Sequence, residues 1–213
     1  MTAIITIKNG KKVVSNGMHE EKILLEDINL TINEGDFITV LGGNGAGKST
    51  LFNTIAGTLE LSQGTISFKD QLITKYPEEK RAAFLSRVFQ DPKMGTAPRM
   101  TVAENLLLAQ NRGKKRKFRL RNLKNQKEQF FKLCQEVGNG LEQHLDTPAG
   151  ELSGGQRQAL SLLMATIEAP ELLLLDEHTA ALDPKTAKQL MTLTNERITG
   201  QKLTCLMITH RME

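Results

Sequence analysis

One glycine-rich run contains residue types that could bind phosphate groups. It consists of Gly42, Gly43, Asn44, Gly45, Ala46, Gly47, Lys48, Ser49 and Thr50. Glycines allow backbone N–H groups to close around phosphate oxygens, and a helix that follows would present its positive end to them. Lys48 can reach the β- and γ-phosphates, and the Ser49 hydroxyl can bind Mg2+. Because an apolar strand pattern precedes the run and a helical pattern follows it, the run predicts a site for ATP or a similar nucleotide with Mg2+.

A second chemical feature is a pair of acids that follows an apolar run. Four leucines at 172–175 are followed by Asp176 and Glu177. At the carboxyl edge of a buried parallel sheet, Asp176 would face the glycine-rich run and hold Mg2+ through water. Glu177 would face the γ-phosphate and polarise an attacking water. The alternative is a strand that ends in two solvated acids, and the presence of the glycine-rich run favours the catalytic interpretation.

A short motif at a predicted helix start indicates a second phosphate-binding surface. It reads Leu152-Ser153-Gly154-Gly155-Gln156. Ser153 is a favourable N-cap, and the two glycines expose backbone N–H groups at the helix N-terminus. With this motif between the glycine-rich run and the acidic pair, the chain resembles the ATP-binding cassette (ABC) ATPases. The resemblance implies that residues 153–156 bind the nucleotide held by a partner subunit, so that two ATP molecules lie inside a head-to-tail homodimer.

Three further residues match motifs of the same family in the expected order. Gln90 matches the Q-loop glutamine, Asp183 in Ala181-Leu182-Asp183 matches the D-loop, and His210 matches the switch histidine. The resemblance assigns ATP hydrolysis to Glu177, His210 and Gln90. It assigns Mg2+ binding to Ser49, Gln90 and Asp176. It assigns nucleotide binding to the glycine-rich run, residues 153–156 and Asp183.

The chain departs from the family pattern at two places. Family members usually carry an aromatic ring near the N-terminus that stacks on adenine, whereas the matching stretch of this chain has Val14. Because the chain has one tyrosine, Tyr76, and no tryptophan, we expect adenine to be held weakly or by apolar packing. The sequence ends at Glu213, soon after His210, where family members continue. We therefore expect a chain truncated after the switch histidine.

Hydrophobic patterning predicts the elements that must position these residues. Apolar, β-branched runs predict strands, and the last two are apolar enough to be buried on both faces of a parallel sheet. The predicted strands are 4–7, 28–32, 37–41, 65–68, 84–89, 172–175 and 203–209. Apolar residues at helical spacing predict helices around 130–137 and 160–167, and Pro184 begins another. We expect one ABC ATPase domain over 1–213. It has an α/β P-loop NTPase core (1–90 and 166–213) with a mostly parallel sheet, N-terminal antiparallel strands and an inserted helical subdomain (91–165).

The composition excludes several classes of protein. Of the 213 residues, 39% are hydrophobic and 24% are charged, which is too apolar for a chain that is disordered throughout. No apolar run approaches the roughly 18 residues of a transmembrane span. The N-terminus lacks a signal-peptide pattern, so we expect a cytoplasmic chain. Cys134 and Cys205 have no metal-binding or redox spacing, and we expect buried free thiols rather than a disulfide or a zinc site.

Positive charge is concentrated in one segment. Residues 112–127 contain nine lysines and arginines and no acid, although the formal net charge of the whole chain is only +4. The segment could be a solvated helix or loop, a contact with anionic lipid headgroups, or a contact with nucleic acid. The lipid contact is favoured over nucleic acid because the architecture of the resembled family places the helical subdomain near the membrane.

These features predict the ATP-binding and ATP-hydrolysing subunit of a bacterial ABC transporter. The resemblance implies integral membrane permease subunits as partners and a peripheral location on the cytoplasmic side of the cell membrane. We expect an importer with an extracytoplasmic substrate-binding protein. Residues 91–98, 158–160 and 163–166 differ from those of the usual sugar or metal importer ATPases and resemble a bacterial group linked to uptake of amino acids such as tryptophan or a similar substrate. The alternatives are an exporter ATPase, a soluble ABC protein acting on nucleic acid or the ribosome, and a non-hydrolysing regulatory cassette. We expect no nucleic-acid partner.

Overall fold

Two four-stranded sheets organise the computed structural model, which describes residues 2–15, 21–114, 123–180 and 182–209. The strands are β1 (Ala3–Ser15), β2 (Glu21–Asn33), β3 (Phe37–Val40), β4 (Gln63–Phe68), β5 (Gln71–Leu72), β6 (Leu85–Val88), β7 (Leu172–Asp176) and β8 (Cys205–Ile208). The helices are α1 (Lys48–Ala56), α2 (Glu78–Arg81), α3 (Val102–Gln110), α4 (Leu123–Gln135), α5 (Gly154–Thr166) and α6 (Pro184–Gln201). One sheet is antiparallel in the order β2-β1-β4-β5, and the other is parallel in the order β3-β8-β7-β6. The predicted α/β fold is confirmed.

Strand β7 of the parallel sheet is buried on both faces, as the leucine run predicts. All five residues of β7 are buried, and successive side chains of a strand point to opposite faces. Leu172 and Leu174 join a core with α1 and the antiparallel sheet. Leu173 and Leu175 join a second core that contains residues of α3, α4, α5 and α6. Because all four strands run in the same direction, their carboxyl ends lie along one edge, and the candidate chemical residues follow those ends.

The first two strands are longer than the apolar runs that predict them. The patterns at 4–7 and 28–32 lie inside strands of 13 residues each. The ladder between β1 and β2 has several register shifts, including one between Ile7 and Gly10 and one between Lys12 and Val13. A bulge adds a residue to one strand and interrupts the period-two alternation. The alternation of apolar and polar residues that predicts a strand is therefore lost before each strand ends.

The two cysteines are confirmed as buried free thiols. Cys134 lies in α4 and Cys205 lies in β8. Burial raises the pKa of each thiol to about 12, so both stay protonated near neutral pH. Within the described ranges, no helix is both long and apolar enough to cross a bilayer.

Three residues of the basic segment, Arg112, Lys114 and Lys127, bond to other residues of this chain. Arg112 donates to the backbone carbonyls of Met164, Ala165 and Glu168 at the end of α5, and burial lowers the pKa of its guanidinium. Lys114 pairs with the Glu168 carboxylate at 3.1 Å, and Lys127 pairs with Asp146 at 2.6 Å. Residues 115–122, which hold much of the charge, lie outside the described residues.

Arg81 forms hydrogen bonds to the C-terminal end of α1. It is 1% exposed. Its guanidinium donates to five backbone carbonyls, those of Tyr76, Thr54, Ile55, Ile73 and Thr74. Two of these carbonyls belong to the last turn of α1, where intrahelical partners are lacking. Burial lowers the pKa of the guanidinium. Arg81 therefore supplies hydrogen-bond donors to the far end of the helix that follows the glycine-rich run.

We expect Arg81→Met to lower the free energy of unfolding by about 3 kcal/mol or more, because each buried carbonyl left without a donor costs about 1–3 kcal/mol. Urea denaturation measures this loss. Arg99→Met is the matched control, since Arg99 is exposed and surface substitutions usually stay within about 0.5 kcal/mol. Equal unfolding free energies for the two variants would contradict the anchoring role.

Candidate functional site

The glycine-rich run forms a loop between β3 and α1. Gly47 occupies the N-cap of α1 with a left-handed φ of 86°. A Cβ atom at this position would lie 2.6 Å from the Leu24 carbonyl oxygen, so both the backbone conformation and the available space require glycine. No described side chain caps the first turn of α1. The N–H groups at the positive end of this helix are therefore available to a phosphate.

Lys48 lies inside the curve of this loop. It is 8% exposed, and its ammonium group donates to the carbonyls of Gly42 at 2.7 Å and Gly43 at 3.0 Å. Residues 42–46 and Ser49 are exposed, and Thr50 is half-buried. The loop thus combines a positive charge, backbone donors and an accessible hydroxyl, which is the chemistry that binds a triphosphate.

We expect Lys48→Ala to weaken ATP affinity by about tenfold or more. The ammonium group is the charged donor of the loop, and hydrogen bonds to charged groups contribute about 1.5–3 kcal/mol. Isothermal calorimetry measures the affinity. Lys75→Ala is the control, because Lys75 is exposed and lies outside the loop. Equal ATP affinity for both variants would contradict the assignment of the loop.

Asp176 ends β7 and is held by an arginine of the neighbouring strand. It is 8% exposed, and its Oδ2 accepts a hydrogen bond of 2.6 Å from the Arg87 guanidinium. Within the described residues, no group of three or more acidic, histidine or cysteine side chains could hold a metal alone. Mg2+ usually binds one or two carboxylates together with substrate phosphates and water. The Asp176 carboxylate and the Ser49 hydroxyl are oxygen donors of the kind that Mg2+ accepts when it is bound with a nucleotide.

The structure brings Gln90 and Glu177 together. The Gln90 side-chain amide donates to Glu177 Oε2 at 3.4 Å, although the residues are far apart in sequence. The Glu177 backbone has a φ of 44°, the left-handed region that costs energy for a residue with a side chain. Its N–H group donates to the Ile208 carbonyl at 3.1 Å. The carboxylate predicted to activate water thus belongs to a residue with a strained backbone and is contacted by an amide.

Two buried residues bond close to Gln90 and Glu177 in the chain. Gln158 is 1% exposed and donates from α5 to the carbonyl of Phe89, the residue before Gln90, at 3.0 Å. His178 follows Glu177 and is 3% exposed, with Nε2 lying 3.0 Å from the Thr194 hydroxyl of α6. Burial lowers the pKa of His178 to about 4, so its imidazole is neutral near pH 7. His178 therefore connects the chain after Glu177 to α6 through Thr194.

Residues 153–156 form the start of α5. The Ser153 hydroxyl accepts from the Gln156 N–H, and the Gln156 side-chain oxygen accepts from the Ser153 N–H, both at 3.2 Å. This capping box satisfies two N–H groups and leaves Ser153 and Gly154 exposed. A Cβ atom on Gly155 would lie 2.6 Å from Thr186 Cγ2. The second glycine therefore permits close packing of α5 against α6.

A cavity of about 420 Å³ opens at this helix start. Its lining includes the four motif residues together with Asn139, Leu182, Asp183 and Thr186. The Asp183 carboxylate caps α6, accepting from the N–H groups of Lys185 and Thr186 at 3.1 Å each. Hydrogen bonds from Thr186 lower the pKa of this carboxylate. Asp183 thus borders the cavity while its oxygen is engaged in its own helix.

Within the part of the chain that the structure describes, no hydrogen bond joins this second surface to the glycine-rich loop. The described bonds of Ser153 and Gln156 connect them to each other, to Asn139 and to the backbone of α5. His210 and Ala181 lie outside the described residues. Val14, which stands where the family usually has an aromatic ring, pairs with Lys22 in the β1–β2 ladder and is 37% exposed.

Sequence reasoning missed Arg87 and Gln158 as site residues. The signal for Arg87 was its place inside an apolar strand pattern. A charged residue in a strand buried on both faces requires an opposite charge or hydrogen-bond partners. Gln158 gives a weaker signal, because a glutamine within a helix is usually solvent-exposed.

Comparisons with known proteins agree with this arrangement. The family model described as "ABC transporter" matches residues 25–180. A tyrosine transport ATP-binding protein of Clostridioides difficile is 42% identical over 99% of this chain and 83% of that protein. A thiamine import ATP-binding protein of Escherichia coli is 34% identical over 86% of this chain and 74% of that protein.

Solved structures give the same result for the fold. The dimeric structure of a bacterial ABC transporter cassette matches with a TM-score of 0.82 and 25% identity, covering 98% of this chain and 89% of that chain. A dimeric post-hydrolysis state of the same cassette, bound to ADP and phosphate, matches with a TM-score of 0.81. From the match to the family model and the similarity along almost the whole chain, we conclude that this protein belongs to the ABC transporter family and is one of its ATP-binding cassette ATPases.

Proposed function

We propose that this chain is the ATP-hydrolysing subunit of a bacterial importer for amino acids or related small solutes, and that it works as a homodimer with two ATP molecules at the interface. The observation that carries the proposal is the meeting of Gln90 and Glu177 beside Asp176, at the sheet edge where the glycine-rich loop also lies. The similarity to a thiamine import ATP-binding protein supports uptake rather than export, and the similarity to a tyrosine transport ATP-binding protein supports amino acids as substrates.

In this proposal, each group has a separate task during hydrolysis. Lys48 and the N–H groups at the start of α1 bind the phosphates of ATP. Glu177 orients an attacking water and accepts its proton, and the Gln90 amide positions that carboxylate. Mg2+, held by Asp176, Ser49 and Gln90, would neutralise charge on the phosphates. His210 is proposed to contact the γ-phosphate.

The second nucleotide-binding surface is proposed to act across the dimer. Ser153, Gly154, Gly155 and Gln156 would contact the γ-phosphate of the ATP bound by the partner subunit, with Asp183 nearby. The exposed helix start and its cavity support this task. Apart from the two N–H groups of the capping box, the helix start offers backbone N–H groups that have no acceptor among the described residues. The dimeric state of the similar solved cassettes supports the same arrangement.

The proposed partners are integral membrane permease subunits and an extracytoplasmic substrate-binding protein. The ATPase would lie on the cytoplasmic side of the cell membrane, bound through the permease. We further propose that residues 91–165, which contain α3, α4 and α5, form the helical subdomain, and that 1–90 and 166–213 form the nucleotide-binding core. The match of the family model to transporter components supports this assembly.

Uptake measurements in cells test the proposed function. A strain lacking the gene should take up radiolabelled tyrosine or a related amino acid more slowly than its parent. The wild-type chain should restore uptake and co-purify with a permease in mild detergent, whereas Glu177→Gln should co-purify without restoring uptake. Glu151→Gln, which changes an exposed glutamate outside the site, is the control. Normal uptake of every amino acid in the deletion strain would contradict the proposed substrate class.

A further inference from the structure

Arg87 forms a buried ion pair with the carboxylate that is proposed to hold Mg2+. It lies in β6, which pairs in parallel with β7, and its register partner is Leu174. The distance between Arg87 Nη2 and Asp176 Oδ2 is 2.6 Å, and the two side chains are only 9% and 11% exposed. One carboxylate oxygen of Asp176 is therefore already engaged by a cation that belongs to the protein.

The guanidinium is fixed in place by further contacts. Its Nη1 donates to the Asn53 side-chain oxygen of α1 at 2.7 Å. Its carbon lies 4.6 Å from the centroid of the Phe89 ring and 5.9 Å from that of Phe52, within the range of cation–π attraction. Arg87 thus connects the helix that follows the phosphate loop to the strand that carries Asp176.

The positive charge of Arg87 disfavours the binding of a second cation at Asp176. Removing a carboxylate from water is costly unless an opposite charge compensates it, and Arg87 supplies that compensation. A divalent cation that approaches Asp176 meets a carboxylate whose charge is already balanced. It is also repelled by the guanidinium, because charges interact more strongly in a poorly solvated site than in water.

We propose that Arg87 is a positioning residue for Asp176 that also competes with Mg2+. It balances the carboxylate when Mg2+ and nucleotide are absent, and it sets how much Mg2+ the site requires when nucleotide binds. The inference rests on the proposed role of Asp176 in binding Mg2+. It concerns a different residue, Arg87, which the family motifs do not include.

Binding measured with a non-hydrolysable ATP analogue tests the competition. The affinity of the full chain for adenylyl imidodiphosphate is measured by calorimetry in EDTA and across a Mg2+ titration. For Arg87→Met, the Mg2+ concentration that gives half of the affinity gain should fall by about tenfold, which corresponds to about 1.4 kcal/mol. Arg87→Lys retains the charge and should keep a half-saturation close to that of the wild type. Arg87→Gln is the second neutral variant if Arg87→Met does not fold.

A merely structural role predicts a different pattern. If Arg87 only stabilises the fold, neutral variants will lose thermal stability while the Mg2+ half-saturation stays unchanged, and this result would overturn the proposal. Asp176→Asn separates this failure from that of the proposed function. Loss of the Mg2+ effect in Asp176→Asn, with no added change from Arg87→Met in that background, supports both assignments. An unaltered Mg2+ effect in Asp176→Asn would reject the role of Asp176 itself, and the proposal for Arg87 with it.

Discussion

Replacing Glu177 by glutamine should lower ATP turnover by about 10²–10⁴-fold while ATP still binds. Glutamine keeps the length of the side chain and its ability to hydrogen-bond, but it cannot accept a proton from water. Positioned general bases typically contribute a factor of this size. Steady-state phosphate release measures turnover, and calorimetry measures ATP affinity in the same preparation.

The control for this substitution is Glu151→Gln. Glu151 is also a glutamate and is exposed in a short 3-10 helix before the start of α5, so its replacement should leave turnover within a factor of two. If Glu177→Gln hydrolyses ATP at a rate similar to this control, another group activates the water and the catalytic assignment of Glu177 is wrong. Loss of ATP binding in Glu177→Gln would instead indicate a damaged site.

The second large effect concerns assembly of the dimer. Glu177→Gln should sediment as a dimer with ATP and Mg2+ and as a monomer with ADP, because a variant that does not hydrolyse ATP stays closed around it. Adding Ser153→Arg to this variant should abolish the dimer. Ser153 is exposed at the start of α5 and lines the cavity there. An arginine side chain would fill the space proposed for the partner's γ-phosphate and would remove the cap of the helix.

Two further variants separate the causes of this loss. Ser153→Ala removes the cap without filling the cavity and should weaken the dimer less than Ser153→Arg. Gln135→Arg adds the same charge at an exposed position near the end of α4 and should leave the dimer intact. If Glu177→Gln remains a monomer at every ATP concentration, the two-nucleotide dimer is refuted for this chain.

The sequence by itself determined the features that depend on neighbours in the chain. The glycine-rich loop is recognisable because Gly47 must adopt a left-handed φ and because a strand and a helix flank it. The capping box of Ser153 and Gln156 depends on residues three positions apart. The leucines of β7 indicate a strand buried on both faces whatever its partners are. The fold class followed from such local patterns, because each restricts the backbone without reference to the rest of the molecule.

The tertiary structure decided which distant side chains bond to each other, although the family resemblance had already assigned Gln90 and Glu177 to one hydrolytic site. The pairs Arg87–Asp176 and Gln90–Glu177 are separated by 89 and 87 residues, and only the order β3-β8-β7-β6 places β6 beside β7. The tertiary structure also decided that Gln158 donates to the Phe89 carbonyl and that Arg81 donates to carbonyls at the end of α1. The lengths of β1 and β2 also escaped prediction, since bulges disrupt the alternation that reveals a strand. Local patterns carry no information about strand order or bulge position, because both depend on the packing of the whole chain into two sheets and two cores.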